Sequence, residues 1–372
     1  MIACAASAVA GAAAPKRHPR HVKRPVRITL NWVGDMAMST QRGLPPGAVD
    51  EALAPVRRQL RDADLTLGNL EGTLSVGGTS KCGAGVGGGT CFAFQAPPAT
   101  ARGLRGLGFD LVNQANNHSM DYGPSGRAQT LAALDAAGIA QTGLPGQITV
   151  LRTRGVKVAF LGFAPYPYDG NLLDIPAAQA LVRRALRHAP LVVVIIHAGA
   201  EGADRSHTPY GTETFLGENR GDPRAFAHAV IRAGAGIVLG SGPHVIRGVE
   251  WYRGRMIAYS LGNFVGYQTL GGGGVLSESA ILRATLDQRG HVIAADWIPI
   301  ELVGGLPRPE RSGASARLVA ALSRQDFPFD HFDIAPNGVF RFRGARPTAR
   351  RPVVRAASPS RRIARTGRAA RT

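Results

Sequence analysis

The chain is poor in cysteine, with 3 in 372 residues, and poor in aromatics, at 6%. Two of the cysteines flank a glycine run with no further thiolate or imidazole beside them, so a four-ligand structural zinc site is excluded there. Acidic residues are missing from both ends. Residues 16–27 carry six Lys/Arg and no acid, and residues 341–372 carry eleven Arg and no acid. These two stretches account for all but about two of the net charge of +19. The body, 28–340, is therefore near neutral, which argues against a nucleic-acid binder built on clustered cations. Basic ends point instead to loose attraction to anionic surfaces such as phospholipid or an acidic polymer, or simply to solvated tails. No apolar run is long enough to span a membrane as a helix. Gly271–Gly274 lacks the Lys-Ser/Thr ending of a phosphate loop, and Gly240-Ser241-Gly242 lacks the Gly-x-Ser-x-Gly elbow of a serine hydrolase.

What is present begins at residues 2–14, an apolar run of small residues with the length of a signal-peptide core but no basic residues before it. Cys82 and Cys91 bracket eight residues that are mostly glycine. Ordering such a loop is entropically costly, and a disulfide would offset the cost. Both features predict an oxidising compartment, with the protein exported to the periplasm or cell exterior or held at a membrane. A composition that is 44% hydrophobic suits a sizeable core. The expected organisation is a signal-like and basic segment over 1–26, a folded domain over 27–343 and a basic disordered tail over 344–372.

Strand-like runs alternate with Ala/Leu/Arg-rich helical stretches, which predicts an α/β fold with a mixed sheet. Strands are expected at 26–33, 65–67, 111–113, 156–163, 191–196 and 236–239. Antiparallel strands are expected at 256–260, 279–286 and 291–300, and helices at 49–63, 99–107, 126–137, 176–188, 223–233 and 311–323.

Polar clusters follow several of these strands. They are Gly34-Asp35, Gly68-Asn69-Leu70-Glu71, Asn116-Asn117-His118 with Asp121, His197-Ala198-Gly199-Ala200-Glu201, Gly242-Pro243-His244 and Ser260-Leu261-Gly262-Asn263. Each alone reads as turn chemistry or a hydrogen-bonded loop histidine. Together, carboxylates, amides and imidazoles at successive strand ends fit an O/N-ligand metal site at the edge where α/β proteins place their chemistry. Tyr166, Tyr168, Trp251 and Tyr252 are candidates for a substrate groove, with core packing or loop anchoring the more usual role of such aromatics. Residues 208–221 read as a lid, with Glu213 and Glu218 facing substrate or pairing with Arg205 and Arg220.

In this order the clusters resemble the CapA family of poly-γ-glutamate (capsule) biosynthesis proteins, within the calcineurin-like metallophosphoesterase superfamily. The resemblance runs from about residue 27 to 299. It implies a four-layer αββα sandwich with mixed sheets and a metal centre at the strand ends. Carried over, it makes Asp35, Glu71, Asn117, His197 and His244 metal ligands for one or two ions of manganese, iron or zinc. His118 would act on the leaving group, with Asn117 and Asn69 beside it in the catalytic set and Asn69 orienting Glu71 or substrate. Asn116, Glu201 and Asn263 would face substrate. The sequence departs from the phosphoesterase pattern in three places. Met36-Ala37 stands where an Asp-x-His partner is usual, Asn69/Glu71 replaces an aspartate, and Gly242-x-His244 replaces Gly-His-x-His. The implied partner is an anionic polymer such as poly-γ-glutamate, met at a membrane surface or with a membrane-bound synthase complex, and not a specific nucleic acid. The implied function is an exported protein of capsule polymer biosynthesis, acting as a metal-dependent hydrolase. The alternatives are a non-catalytic polymer-binding or transport subunit and a metal-dependent phosphomonoesterase.

Overall fold

Runs of β-branched and aliphatic residues form two mixed sheets in a computed structural model of the chain, which describes residues 26–83 and 91–342. The signal-like segment, the interior of the Gly-rich loop and the arginine-rich tail lie outside the described residues. In chain order the principal strands are β1 (Arg27–Ala37), β2 (Leu65–Leu70), β3 (Phe109–Asn113), β4 (Ala140–Thr142), β5 (Thr149–Thr153), β6 (Val156–Phe163) and β7 (Leu191–His197). They continue with β8 (Ile237–Ser241), β9 (Val249–Tyr252), β10 (Arg255–Ala258), β11 (Asn263–Gly266), β12 (Glu278–Asp287), β13 (Val292–Val303) and β14 (Leu306–Pro309). The first sheet runs β14-β13-β12-β1-β2-β3-β4, with β11 also beside β1. The second runs β9-β10-β8-β7-β6-β5.

Side-chain alternation decides which face goes where. Ala159, Leu161, Phe163, Val192, Val194 and Ile196 point outward. They pack under α3 (Ile175–Ala185) and α4 (Pro223–Ala233) in one buried cluster. On the outer face of the first sheet, Val33, Leu70 and Val112 pack with Leu53, Val56, Leu60, Leu104 and Leu134. The last two come from α1 (Thr100–Gly106) and α2 (Gly123–Ala137). The opposite faces meet each other: Trp32 Nε1 on β1 donates to Gly240 O on β8 at 3.1 Å, and Thr142 Oγ1 donates to Phe160 O at 3.1 Å. Helices therefore cover both outer faces of a double sheet, the expected four layers. Trp32 is buried at 1% exposure and ties the sheets together. Trp32→Ala should cost about 3–5 kcal/mol of stability through the cavity and lost bond, seen as a lower denaturation midpoint at unchanged slope.

Local chemistry explains the boundaries. α3 and α4 each start with an aspartate cap: Asp174 accepts from Ala177 N–H and Asp222 from Ala225 N–H, and proline occupies the first turn of each. The helix expected over 49–63 is instead three short pieces, Ala48–Ala52, Ala54–Val56 and Arg57–Arg61. Pro55 lacks the N–H a continuous helix would need. The last helix, α5 (Ala314–Asp326), begins later than expected because Gly313 sits at φ 75 in the left-handed region. β12 and β13 pair antiparallel as expected. β10 differs: it runs parallel to β8 and antiparallel only to β9.

β1, β2 and β3 run parallel in one sheet, and β6, β7 and β8 in the other. Asp35 on β1, Asn69 near the end of β2, Asn113 closing β3, His197 closing β7 and Ser241 closing β8 all lie on the faces between the sheets. Gly34 makes this possible at β1, since a Cβ there would lie 1.9 Å from Gly262 O.

Candidate metal centre

Period-two alternation places His197 on the inner face with Ile195, and Ser241 on the inner face with Leu239. Asn69 sits between the two sheets and connects them. Its Nδ2 donates to Asp35 Oδ1 at 2.8 Å and lies 3.1 Å from His197 Nδ1. Its Oδ1 accepts from Asn113 at 2.9 Å and Asn116 at 3.2 Å. Asn69 thus orients Asp35 and His197, not Glu71. Asp35 Oδ2 accepts from Gly242 N–H at 3.0 Å. Burial raises the Asp35 pKa, but the His197 and His244 imidazoles and the Gly242 N–H outweigh it and hold this carboxyl below its ordinary value.

Glu71 is the opposite case. It is fully buried, and among the described residues neither carboxylate oxygen has a hydrogen-bond partner. Three imidazoles surround Oε1 beyond hydrogen-bond reach: His244 Nε2 at 3.7 Å, His197 Nε2 at 3.8 Å and His118 Nε2 at 4.0 Å. Burial and the nearby Asp35 charge push the Glu71 carboxyl well above its ordinary range. Ligand atoms of Asp35, Glu71 and His244 all lie within 4.8 Å of one another.

His244 occupies a left-handed backbone position, φ 60, uncommon outside glycine and typical of functional sites. Asn263 holds it: Oδ1 faces His244 Nδ1 at 2.7 Å and Nδ2 donates to His244 O at 3.1 Å. Burial lowers the His244 pKa, but Glu71, Glu201 and Asp35 override it and raise it to about 10. Glu201 lies 3.5 Å from His244 Nε2. Its other oxygen pairs with Arg220 Nη1 at 2.7 Å. Burial raises the Glu201 pKa, but His244 and Arg220 dominate and keep this carboxyl well below its usual range.

The 113–121 segment forms the other wall. His118 N–H donates to Asn116 Oδ1 at 3.0 Å. His118 Nδ1 lies 2.8 Å from Asp121 Oδ2, which leaves Nε2 toward the site. Burial favours the neutral imidazole and lowers its pKa, against the pull of Asp121. Asn117 Nδ2 lies 3.5 Å from Glu201 Oε1, while Asn117 Oδ1 is buried without a partner among the described residues. In front of these groups opens a cavity of about 410 Å³, lined by Lys81, Phe92, Asn117, His118, Glu201 and Arg220 among others.

The twelve residues singled out from sequence fall into three groups. Asp35, Glu71 and His244 converge, with Asn117, His118, His197 and Glu201 around them. Asn69, Asn116 and Asn263 spend their amides on the scaffold. Cys82 and Cys91 form a disulfide, Cα–Cα 5.8 Å, which points to an extracytoplasmic setting. No helix among the described residues is long and apolar enough to cross a membrane. The 208–221 stretch contains a hairpin, Glu213–Phe215 with Glu218–Gly221. Glu213 turns inward to Arg247, 2.7 Å from both Nη1 and Nη2, and not to Arg205. Sequence reading missed Lys81, Asn113 and the burial of Arg220, which is 1% exposed. An arginine in a polar hairpin carries no signal of burial. Lys81 carried one, its place next to Cys82.

Relatives share this architecture's sequence. The chain is 28% identical over 330 residues to the capsule biosynthesis protein CapA of Bacillus anthracis, covering 81% of this chain and 73% of that one. It is 28% identical over 257 residues to the PGA biosynthesis protein CapA of Bacillus subtilis, covering 64% of this chain and 63% of that one. A probable polyglutamine synthesis accessory protein of Mycobacterium tuberculosis is 27% identical over 320 residues, covering 77% of each. Among solved structures, a putative 5'-nucleotidase from Staphylococcus aureus in complex with α-ketoglutarate aligns at TM-score 0.43 and 14% identity, over 80% of this chain and 58% of that one. That likeness is too distant to inform the chemistry. The model of the bacterial capsule synthesis protein family PGA_cap matches residues 29–268, more than half of the chain, and the protein belongs to that family.

Proposed function

We propose that this capsule-synthesis family protein is an exported, metal-dependent hydrolase acting on poly-γ-glutamate or a related anionic envelope polymer. The observation that carries the reading is Glu71, a fully buried carboxylate whose oxygens are both unpaired among the described residues, with three imidazoles within 4.0 Å of Oε1. A structural carboxylate at that depth would be hydrogen-bonded, because leaving it bare costs about 1–3 kcal/mol or more. A cation is the missing partner. Two atoms bound to one ion at ~2.0–2.2 Å each stand no more than ~4.4 Å apart, and the Glu71–His244 separation of 3.7 Å falls inside that limit. Mixed carboxylate and imidazole donors without thiolate suit manganese, iron or zinc.

Asp35, Glu71 and His244 would hold the ion, with the orphaned Asn117 carbonyl oxygen as a further donor and His197 steadying Asp35. When bound, a divalent ion supplies Lewis-acid stabilisation of charge developing on a phosphoryl or amide group. The protein's own groups supply the rest. His118, anchored by Asp121, presents Nε2 for proton exchange with the reacting groups. Arg220 sits at the cavity wall with a guanidinium suited to carboxylate or phosphate. Lys81 adds a second positive charge at the rim. The anionic polymer would arrive from a membrane surface or a membrane-bound synthase complex.

The test is metal content by mass spectrometry on purified protein, beside Asp35→Ala. About one equivalent of manganese, iron or zinc, lost in the variant, is expected. Incubation with poly-γ-glutamate should then shorten the polymer. Polymer binding without metal would replace this reading with a non-catalytic polymer-binding subunit. Turnover confined to an aryl phosphate would replace it with a phosphomonoesterase.

A further inference from the structure

Asp121 is gripped from two sides by chain segments that the disulfide joins. On one side Lys81 Nζ lies 2.7 Å from Asp121 Oδ1, and Lys81 N–H donates to Asp121 O at 2.7 Å. On the other, Phe94 N–H donates to Asp121 Oδ2 at 2.6 Å, and the Phe94 ring stacks on His118 at 4.4 Å between centroids. Lys81 Nζ also donates to Asn117 O at 2.9 Å and stands 3.4 Å from His118 Nδ1. Cys82, the next residue after Lys81, is bonded to Cys91, three residues before Phe94. Asp121 has no exposed side-chain surface, whereas Lys81 retains 34%. A buried carboxylate of this kind is costly without a cation beside it, and a lysine has about 2 kcal/mol of rotamer freedom to lose in supplying one. A covalent tether at the adjacent residue reduces how far that cation can wander.

We propose that Lys81 is a positioning residue for Asn117 and His118, and that the Cys82–Cys91 disulfide holds it in place, so that the centre is fully ordered only in the oxidised protein. Lys81 acts on both residues at once. It fixes the backbone of Asn117, whose amide lies beside Glu201, and it neutralises the carboxylate that orients His118. Only the metal-affinity arm of the test below depends on the metal reading.

The experiment uses the full chain in metal-free form: wild type oxidised, wild type reduced with a phosphine, Lys81→Met, Lys81→Arg and the Cys82→Ser, Cys91→Ser pair. Amide hydrogen exchange is followed over 117–121, with 191–197 as an internal control, and the His118 imidazole signals are recorded by nuclear magnetic resonance. Reduction, Lys81→Met and the double serine variant are each expected to speed exchange over 117–121 about tenfold or more and to shift the His118 signals. Exchange over 191–197 should stay unchanged, and Lys81→Arg should restore part of the protection. Unchanged exchange and unchanged His118 signals in Lys81→Met and in the reduced protein would overturn the proposal. A matching rise over 191–197 would also overturn it, because the effect would then be general loss of stability. Calorimetric titration with manganese is the second arm. Affinity about tenfold weaker in Lys81→Met supports the proposal. If the oxidised wild type binds no metal, the proposed function fails, while the exchange and imidazole signals still decide the role of Lys81.

Discussion

Glu71→Gln should weaken divalent-metal binding by at least about a hundredfold while the metal-free protein becomes more stable. Both effects come from one fact: the carboxylate is buried with no hydrogen-bond partner among the described residues. Without an ion its charge has only His244, 3.7 Å away and beyond hydrogen-bond reach, and the more distant Arg220 to balance burial and the Asp35 charge, and removing the charge relieves about 1–3 kcal/mol. With an ion present, wild type gains stability in proportion to the logarithm of metal over its dissociation constant, about 2.7 kcal/mol at a hundredfold excess. The variant loses that increment. Melting with and without metal, at fixed metal concentration, separates the two effects. The sign with pH follows from the raised Glu71 pKa. The folded state holds this proton more tightly than the unfolded chain, so Glu71 favours folding below its ordinary range and disfavours it as pH rises. The gap between metal-free variant and wild type should therefore close as pH falls toward the ordinary glutamate range. A Glu71→Gln protein that melts lower and binds metal normally would show that Glu71 is a structural group.

Arg220→Ala should destabilise the protein by about 3–5 kcal/mol, the usual result of stripping one partner from a buried ion pair. The guanidinium makes several contacts. Nε donates to Gly199 O at 3.1 Å, Nη1 donates to the Tyr166 hydroxyl at 3.1 Å and pairs with Glu201 at 2.7 Å, and Nη2 lies 3.4 Å from His197 Nε2. Its loss leaves Glu201 buried beside Glu71 and Asp35 with His244 as its remaining close cationic partner. Glu201→Gln in the same chain should recover a large part of the loss, and a double-mutant cycle reads the coupling directly. Arg220→Lys keeps the charge but not the fork, and should fall between the two. Additive effects of the two substitutions would mean the pair is not coupled.

Much of this site was legible before the fold was known. A strand buried on both faces and ending in histidine, as at 191–197, has only one place to put that imidazole. Asp35 is different: a register shift in β1 between Trp32 and Asp35 turns it inward, where strict alternation would have put it on the outer face with Val33. Asp35, Glu71, His118, His197 and His244 do come together. Boundaries were legible where chemistry is local, as at the Asp174 and Asp222 caps, and were lost where one residue overrides a periodic pattern, as Pro55 does. Partner choice was not legible. Asn69 orients Asp35 and His197, Asn263 holds His244, and Glu213 turns to Arg247 instead of the site. A separation of 34 positions between Asn69 and Asp35, or of 128 between Asn69 and His197, leaves no trace in any local window.

The sequence by itself determined the two alternations on which the fold rests, β-strand period and helical period, together with the glycines and prolines that punctuate them. It therefore determined which residues reach the strand ends, because the direction of each side chain along a strand follows from backbone geometry alone. It also set the near-neutral body, the basic ends and the spacing that lets Cys82 meet Cys91. Only the tertiary structure decided which of the polar groups at the strand ends are satisfied. Asn69, Asn116 and Asn263 found partners and became scaffold. Glu71 and the Asn117 side-chain oxygen did not, and Arg220 was drawn from a hairpin into the interior to face Glu201. Satisfaction of a buried polar atom depends on atoms that distant segments bring within about 3 Å, and that distance exists only once the two sheets have closed on each other.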